Sequence, residues 1–130
     1  MDEHEHHEHL VEQAAKQLQP VLEHSAQAIF VYLDDTHKTC NEKFAMLLGY
    51  GSAKEWSDID VNFVETFLAP ESREAVMNHY ADTFSQKLSA ATLSVTWQKK
   101  GGGKVKTQAI QVPISFKGHV FAVTFLTEQK

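Results

Sequence analysis

The chain has 130 residues, one domain's worth, and its 42% hydrophobic and 22% charged residues exclude a disordered or low-complexity protein. Its net charge of −5 and its single arginine, Arg73, argue against nucleic-acid binding, because guanidinium is the preferred ligand of phosphate and guanine. The single cysteine, Cys40, excludes an intrachain disulfide and a Cys-rich zinc site.

No apolar run approaches the ~20 residues of a membrane span. The start MDEHEHHEHL is acidic and His-rich, the reverse of a targeting peptide. A cytoplasmic location without a membrane partner is therefore expected.

Residues 3–18 read as an amphipathic helix, with Leu10, Ala14 or Ala15, and Leu18 at helical spacing. Pro20 disfavours helix at Gln19, so a break is expected there, followed by one short turn through Val21 and Leu22. His4, His6, His7 and His9 alternate with Glu3, Glu5 and Glu8. On a helix His4 and His7 share a face, as do Glu5 and His9, a donor set that suits Zn²⁺ or Ni²⁺. The segment is terminal and has nothing to orient its rings, so His4, His7 and His9 are read as a solvated helix end and no metal is predicted.

AIFVYL at 28–33 is a strand that ends at Asp34-Asp35-Thr36, and a short strand follows at 38–40. Asn41 can cap a helix over 42–48, and Gly49 can end it. Short helical pieces fill 52–68, and Pro70 opens a longer helix over 71–87. That helix's apolar face is predicted to be Met77, Tyr80, Ala81, Phe84 and Leu88. Three strands close the chain: 92–100, 104–116 and 119–127, with turns at Gly101–Gly103 and Lys117-Gly118. Lys99, Lys100, Lys104 and Lys106 surround the first turn and read as a solvated hairpin tip.

Helices between two groups of strands suggest an α+β domain with one mostly antiparallel sheet. Ala28, Phe30 and Tyr32 lie opposite Ile29, Val31 and Leu33, while Val120, Ala122 and Leu126 lie opposite Phe121, Val123 and Phe125. Both faces of these two strands are apolar, so both should sit mid-sheet with each face covered. The middle helices can cover one face. The N-terminal helix, or a second copy of the chain, must cover the other.

Residues 41–50, NEKFAMLLGY, resemble the core signature of PAS domains, N-x-x-F-x-x-L-L-G-Y. The likeness extends through VLEHSAQAIFVYLDD, LAPESREAV and the closing TWQKKGGGKVKTQAIQVPISFKGHVFAVTFLTE, about residues 21–127. The resemblance implies a five-stranded antiparallel sheet in order 2-1-5-4-3 with helices inserted between strands 2 and 3. Residues 1–20 would form an N-terminal helix ahead of a PAS domain at 21–130.

The family senses small molecules or light, binds cofactors, or dimerises. The blue-light flavin members share N-C-R-F-L, which is absent here, and Cys40 precedes Asn41 and reads as a small buried hydrophobe. Haem members place an axial histidine where this chain has Val76, with His79 three residues on. Neither haem nor flavin is therefore expected. Phe125-Leu126-Thr127 stands where many members carry Asp-Ile-Thr, and no effector segment follows before Lys130. An excised sensor module, or a free-standing one that acts by binding, is expected.

No catalytic motif occurs, so no enzyme activity is predicted. The alternative is a cone-fold protein like the ketosteroid-isomerase group, with a pocket between sheet and helices. The reading chosen is a non-catalytic sensory module that forms a homodimer and binds a small apolar or aromatic ligand or a signalling protein. Pocket candidates are Phe44, Leu48, Phe63, Phe67, Met77, His79, Tyr80 and Phe84 from helices, with Trp97, Ile110 and Val112 from strands. Candidates for the dimer contact are Leu10, Ala14, Leu18 and Leu22.

Overall fold

The computed structural model of the chain describes residues 3–34, 37–84 and 92–129, with side chains throughout except at 3–8, 80, 82–84 and 116. The elements run α1 (Glu3–His24), β1 (Ala28–Asp34), β2 (His37–Cys40), α2 (Glu42–Leu47), α3 (Ala53–Ser57), α4 (Phe63–Phe67), α5 (Pro70–Phe84), β3 (Thr92–Gln98), β4 (Lys104–Phe116) and β5 (His119–Glu128). The five strands form one antiparallel sheet in the order β2-β1-β5-β4-β3. This is the expected order, with β1 and β5 inside and the short helices between β2 and β3. The cone-fold alternative fails on this topology.

The short helices start where side chains can satisfy free backbone amides. Asn41, Ser52 and Asn62 each accept from the amide three residues on, at Phe44, Glu55 and Glu65. Asn41 does more than cap. Its Oδ1 accepts from Phe44 N at 3.0 Å and Ile29 N at 3.1 Å, and its Nδ2 donates to Leu22 O at 3.2 Å and Gln27 O at 3.0 Å. One buried amide thus ties the end of α1, the start of β1, the end of β2 and the start of α2. Gly49 follows α2 at φ +87°, a left-handed conformation that glycine adopts without strain.

Each face of the sheet has its own core. The inner face, Phe30, Val95, Trp97, Val105, Ala109 and Leu126, packs on Phe44, Ala45 and Leu48 of α2, Trp56 of α3, and Phe63 and Phe67 of α4. The outer face, Ile29, Val31, Phe121 and Val123, packs on Leu10, Val11 and Ala14 of α1, with Leu18 and Leu22 alongside. The segment after α4 closes the β3 edge. Ala69 N donates to Thr96 O at 2.9 Å, and Gln98 Nε2 donates to Leu68 O at 3.0 Å. No helix among the described residues is long and apolar enough to cross a membrane.

Four expectations need correction. First, α1 does not break at Pro20 but continues to His24. Proline removes one helical hydrogen bond there, yet Leu22 packs on the outer core and its carbonyl is held by Asn41, and these contacts carry the last turn. Second, the stripe Leu10, Ala14, Leu18 and Leu22, expected at a dimer contact, lies on the chain's own sheet, with Leu10 only 2% exposed. Third, α5 is rotated about one residue from its expected face. Ser72 and Val76 turn inward, while Met77 is 50% exposed and Ala81 is exposed. Ser72 is held inward because its Oγ accepts from Thr96 N at 2.8 Å. Fourth, Ile110 and Val112 point to the outer face, since Val105, Thr107, Ala109 and Gln111 are the buried alternates of β4.

Candidate functional site

The space between the inner sheet face and the helices is filled mainly by rings. Phe30 of β1 lies 5.0 Å from Phe44, 5.5 Å from Phe63 and 5.5 Å from Trp97, centroid to centroid. Phe44 meets Trp56 edge-on at 4.9 Å, and Phe67 lies 5.5 Å from Trp56 and 5.4 Å from Phe63. Tilted and T-shaped pairs at these distances are the favoured aromatic arrangement, so the rings hold one another in place. Two polar side chains in this layer pair with each other. Trp97 Nε1 donates to Thr107 Oγ1 at 3.0 Å, and Thr107 Oγ1 donates to Val95 O at 3.1 Å.

One cleft remains. It measures about 210 Å³ and lies between α4, α5 and the sheet, lined by Phe30, Tyr32, Phe63, Val64, Val76 and Met77 with Asn62 and Gln111 at its polar edge. Gln111 Nε2 donates to Thr124 Oγ1 at 3.1 Å, which fixes the amide against the sheet. Deeper in, Val76, His79, Trp97, Ala109 and Thr124 surround a gap of only about 10 Å³. A wider groove of about 610 Å³ runs outside, between α1 and β2–α3, and is lined by Glu12, Lys16, Gln19, Glu23 and Lys43. It is a solvated surface groove away from the inner face.

Of the expected pocket residues, Phe63 and Met77 line the cleft, and His79 and Trp97 line the narrow gap. Phe44, Leu48 and Phe67 are packed core. Ile110 and Val112 face away from it, and the side chains of Tyr80 and Phe84 lie outside the described residues. Reasoning from sequence missed Phe30, Tyr32, Asn62, Val64, Val76 and Gln111. Phe30 and Tyr32 share one face of β1, but strand alternation alone does not say which face turns to the helices. Ser72 was the available signal for the rotation of α5, since a small polar residue in the first turn suits a helix seated against a strand.

The remaining sequence features occupy ordinary positions. Cys40 is buried, and burial, with Glu42 nearby, pushes its thiol up to about 12. His9 is exposed, and the side chains of His4 and His7 lie outside the described residues, among which no three ligating groups converge. In the lysine hairpin, Lys100 Nζ pairs with Glu55 at 3.2 Å and Lys104 Nζ with Glu71 at 3.6 Å.

This sheet, with its inserted helices and ring-filled interior, defines a small α+β fold with order β2-β1-β5-β4-β3. No protein-family model and no curated protein matches the sequence. Solved structures do match the fold. The PAS domain of a two-component sensor histidine kinase is 13% identical with a TM-score of 0.64, covering 91% of this chain and 98% of that one. A PAS domain from Colwellia psychrerythraea is 18% identical with a TM-score of 0.66, covering 89% and 97%. The Rhodobacter sphaeroides LOV protein is 10% identical with a TM-score of 0.67, covering 91% and 68%. The chain folds as a PAS domain.

Among the described residues the inner space is small for a haem or a flavin. A drug-sized ligand needs a pocket of roughly 300–1,000 Å³, whereas the cleft offers about 210 Å³ and the gap beside His79 about 10 Å³. Cys40 lines the outer groove, with its Sγ 4.0 Å from Ala53 O.

Proposed function

We propose that this chain is a non-catalytic sensory module that reads a small apolar ligand and passes the signal on through contact with a second copy or a signalling protein. The cleft beside Phe30, Val76 and Gln111 carries this reading. A dry cavity of roughly 150 Å³ is enough to bind benzene, so about 210 Å³ suits a single aromatic ring or a short branched chain. A ring there would rest on Phe30 and Phe63, and a polar substituent would meet Gln111 or Asn62. Filling the cleft loads Val64 of α4 and Val76 of α5, the helical elements that border it. The supporting comparison is the shared fold with PAS and LOV sensor structures.

The contact with a second copy is proposed on the outer face of β4. Ile110 is 41% exposed and pairs across the sheet with Phe125, and Val112 pairs with Val123. This strip lies on the sheet face that α1 partly covers.

The test is a panel of single-ring aromatics, short-chain acids and lipids, read by melting temperature and by emission of the two tryptophans, Trp56 and Trp97, both buried in the inner core. At least one single-ring compound should raise the melting temperature saturably. Val76→Phe should fold, because the cleft has room for the ring, and should lose the response. If no compound acts and Val76→Phe unfolds the chain, the cleft is ordinary packing and the ligand reading is wrong.

A further inference from the structure

Against the aromatic cluster a lysine is buried. Lys38 of β2 is 3% exposed. Its Nζ donates to Ile59 O at 2.6 Å and lies 5.1 Å from the Trp56 ring centroid and 6.0 Å from that of Phe67. We propose that this is a binding site for a small alkylammonium ion, and that Lys38 is its tethered occupant.

Three observations lead there. Taking an ammonium out of water is costly unless groups that favour a cation receive it, and here a carbonyl oxygen and two ring faces do so. The receiving groups are built independently of Lys38. Trp56 packs edge-on against Phe44 at 4.9 Å, and Phe67 packs on Phe63 at 5.4 Å, so the rings keep their places when the cation leaves. The choice of ring is informative as well. Trp56 Nε1 is buried and makes no hydrogen bond among the described residues. Phenylalanine would fill the space without that cost, but indole offers the best face for a cation.

The site borders a groove open to solvent. This groove of about 370 Å³ runs along β2 and is lined by both Lys38 and Ile59, with Glu12, Asp58 and Asp60 on its walls. Asp58 is engaged by Lys54 at 2.7 Å. The acids favour entry of a cation over an anion or a neutral molecule. β2 is a four-residue strand at the sheet edge, the element of the sheet whose displacement breaks fewest ladder bonds. An ammonium ion that took the Ile59 carbonyl and the Trp56 face would therefore displace Lys38 and shift this edge.

The experiment titrates n-butylammonium chloride into wild-type protein and Lys38→Ala, with 1-butanol and sodium chloride as controls. Tryptophan emission and melting temperature are the readouts. Lys38→Ala should respond saturably to n-butylammonium, with half-saturation about tenfold or more below that of the wild type, where the tethered ammonium competes. Neither control should reproduce the response. Lys38→Met, which refills the space with an uncharged stem, should fold and not respond. If Lys38→Ala is unfolded as purified, n-butylammonium but not 1-butanol should restore its fold. Equal effects of butanol and butylammonium would overturn the proposal, as would no saturable response or rescue in Lys38→Ala.

Discussion

Leu10→Ala tests whether α1 belongs to its own sheet. Leu10 is 2% exposed and meets the outer-face core of Ile29, Val31, Phe121 and Val123. Truncation to alanine removes three buried carbons, about 2.4 kcal/mol at about 0.8 kcal/mol each. The cavity left behind raises this to about 3 kcal/mol, inside the roughly 2–5 kcal/mol range for such changes. The unfolding entropy of a 130-residue chain is about 0.27 kcal/mol per degree. The melting temperature should therefore fall by about 11 °C. Light scattering on the same samples should show an unchanged mass, because Leu10 packs against strands of its own chain. If the variant melts within about 3 °C of wild type and its mass drops by half, the stripe is a seam between two copies and the placement of α1 is wrong.

Ile110→Lys should do the converse: the light-scattering mass falls toward one chain while the melting temperature stays within about 2 °C, as usual for an exposed substitution. An undiminished mass would remove the β4 face from consideration as the contact. Asn41→Ala should cost at least about 3 kcal/mol in a denaturant titration, because it leaves the buried amides of Ile29 and Phe44 without an acceptor; a cost under about 1 kcal/mol would mean that water replaces the side chain. Cys40 should resist alkylation at pH 8 until the chain is unfolded, since its thiol is pushed up to about 12 in the fold. The unfolded thiol ionises near 9.0, so this group's contribution to stability is full below pH 9 and is lost as pH rises toward 12. Cys40→Ala should lessen the alkaline decline, and an identical decline in the variant would show that the thiol does not contribute to it.

The order of elements could be read from sequence because β1 and β5 carry large apolar residues on both faces. Such strands have no solvent side, which places them mid-sheet before any topology is known. β4 misled for the opposite reason. Its larger apolar residues, Ile110 and Val112, suggest an inner face, but that space is already taken by Phe30, Phe44 and Trp97. Only small or bonding residues fit beneath them, hence Ala109, and Thr107 as acceptor for Trp97 Nε1. The inner parity of β4 was thus set by rings on other elements, which strand periodicity cannot report. The same holds for α5, whose inner residue Ser72 is chosen by a strand amide and not by hydrophobicity. The Lys38 site was equally hidden, since a lysine in a four-residue strand reads as an edge charge until Trp56 and Ile59 are placed around it.

The stripe on α1 shows a different limit. An apolar stripe says that something covers it but not which chain supplies the cover. The connection does carry that information. Only Ser25, Ala26 and Gln27 separate α1 from β1, and Asn41 ties both Leu22 O and Gln27 O to the start of α2. A link this short turns the helix back over the strands that follow it, and α1 accordingly packs on β1 and β2. The cover is therefore local and partial: it reaches Ile29, Val31, Phe121 and Val123 but leaves Ile110 of β4 exposed. One outer face thus presents two neighbouring surfaces, the first closed by the chain itself and the second, around Ile110, exposed and proposed above as the contact with another copy. If that division is right, Leu10 and Ile110 substitutions must separate stability from association, and the double variant should show both effects, with any coupling between them carried through Phe125, which pairs with Ile110 and packs against the cluster of Leu10.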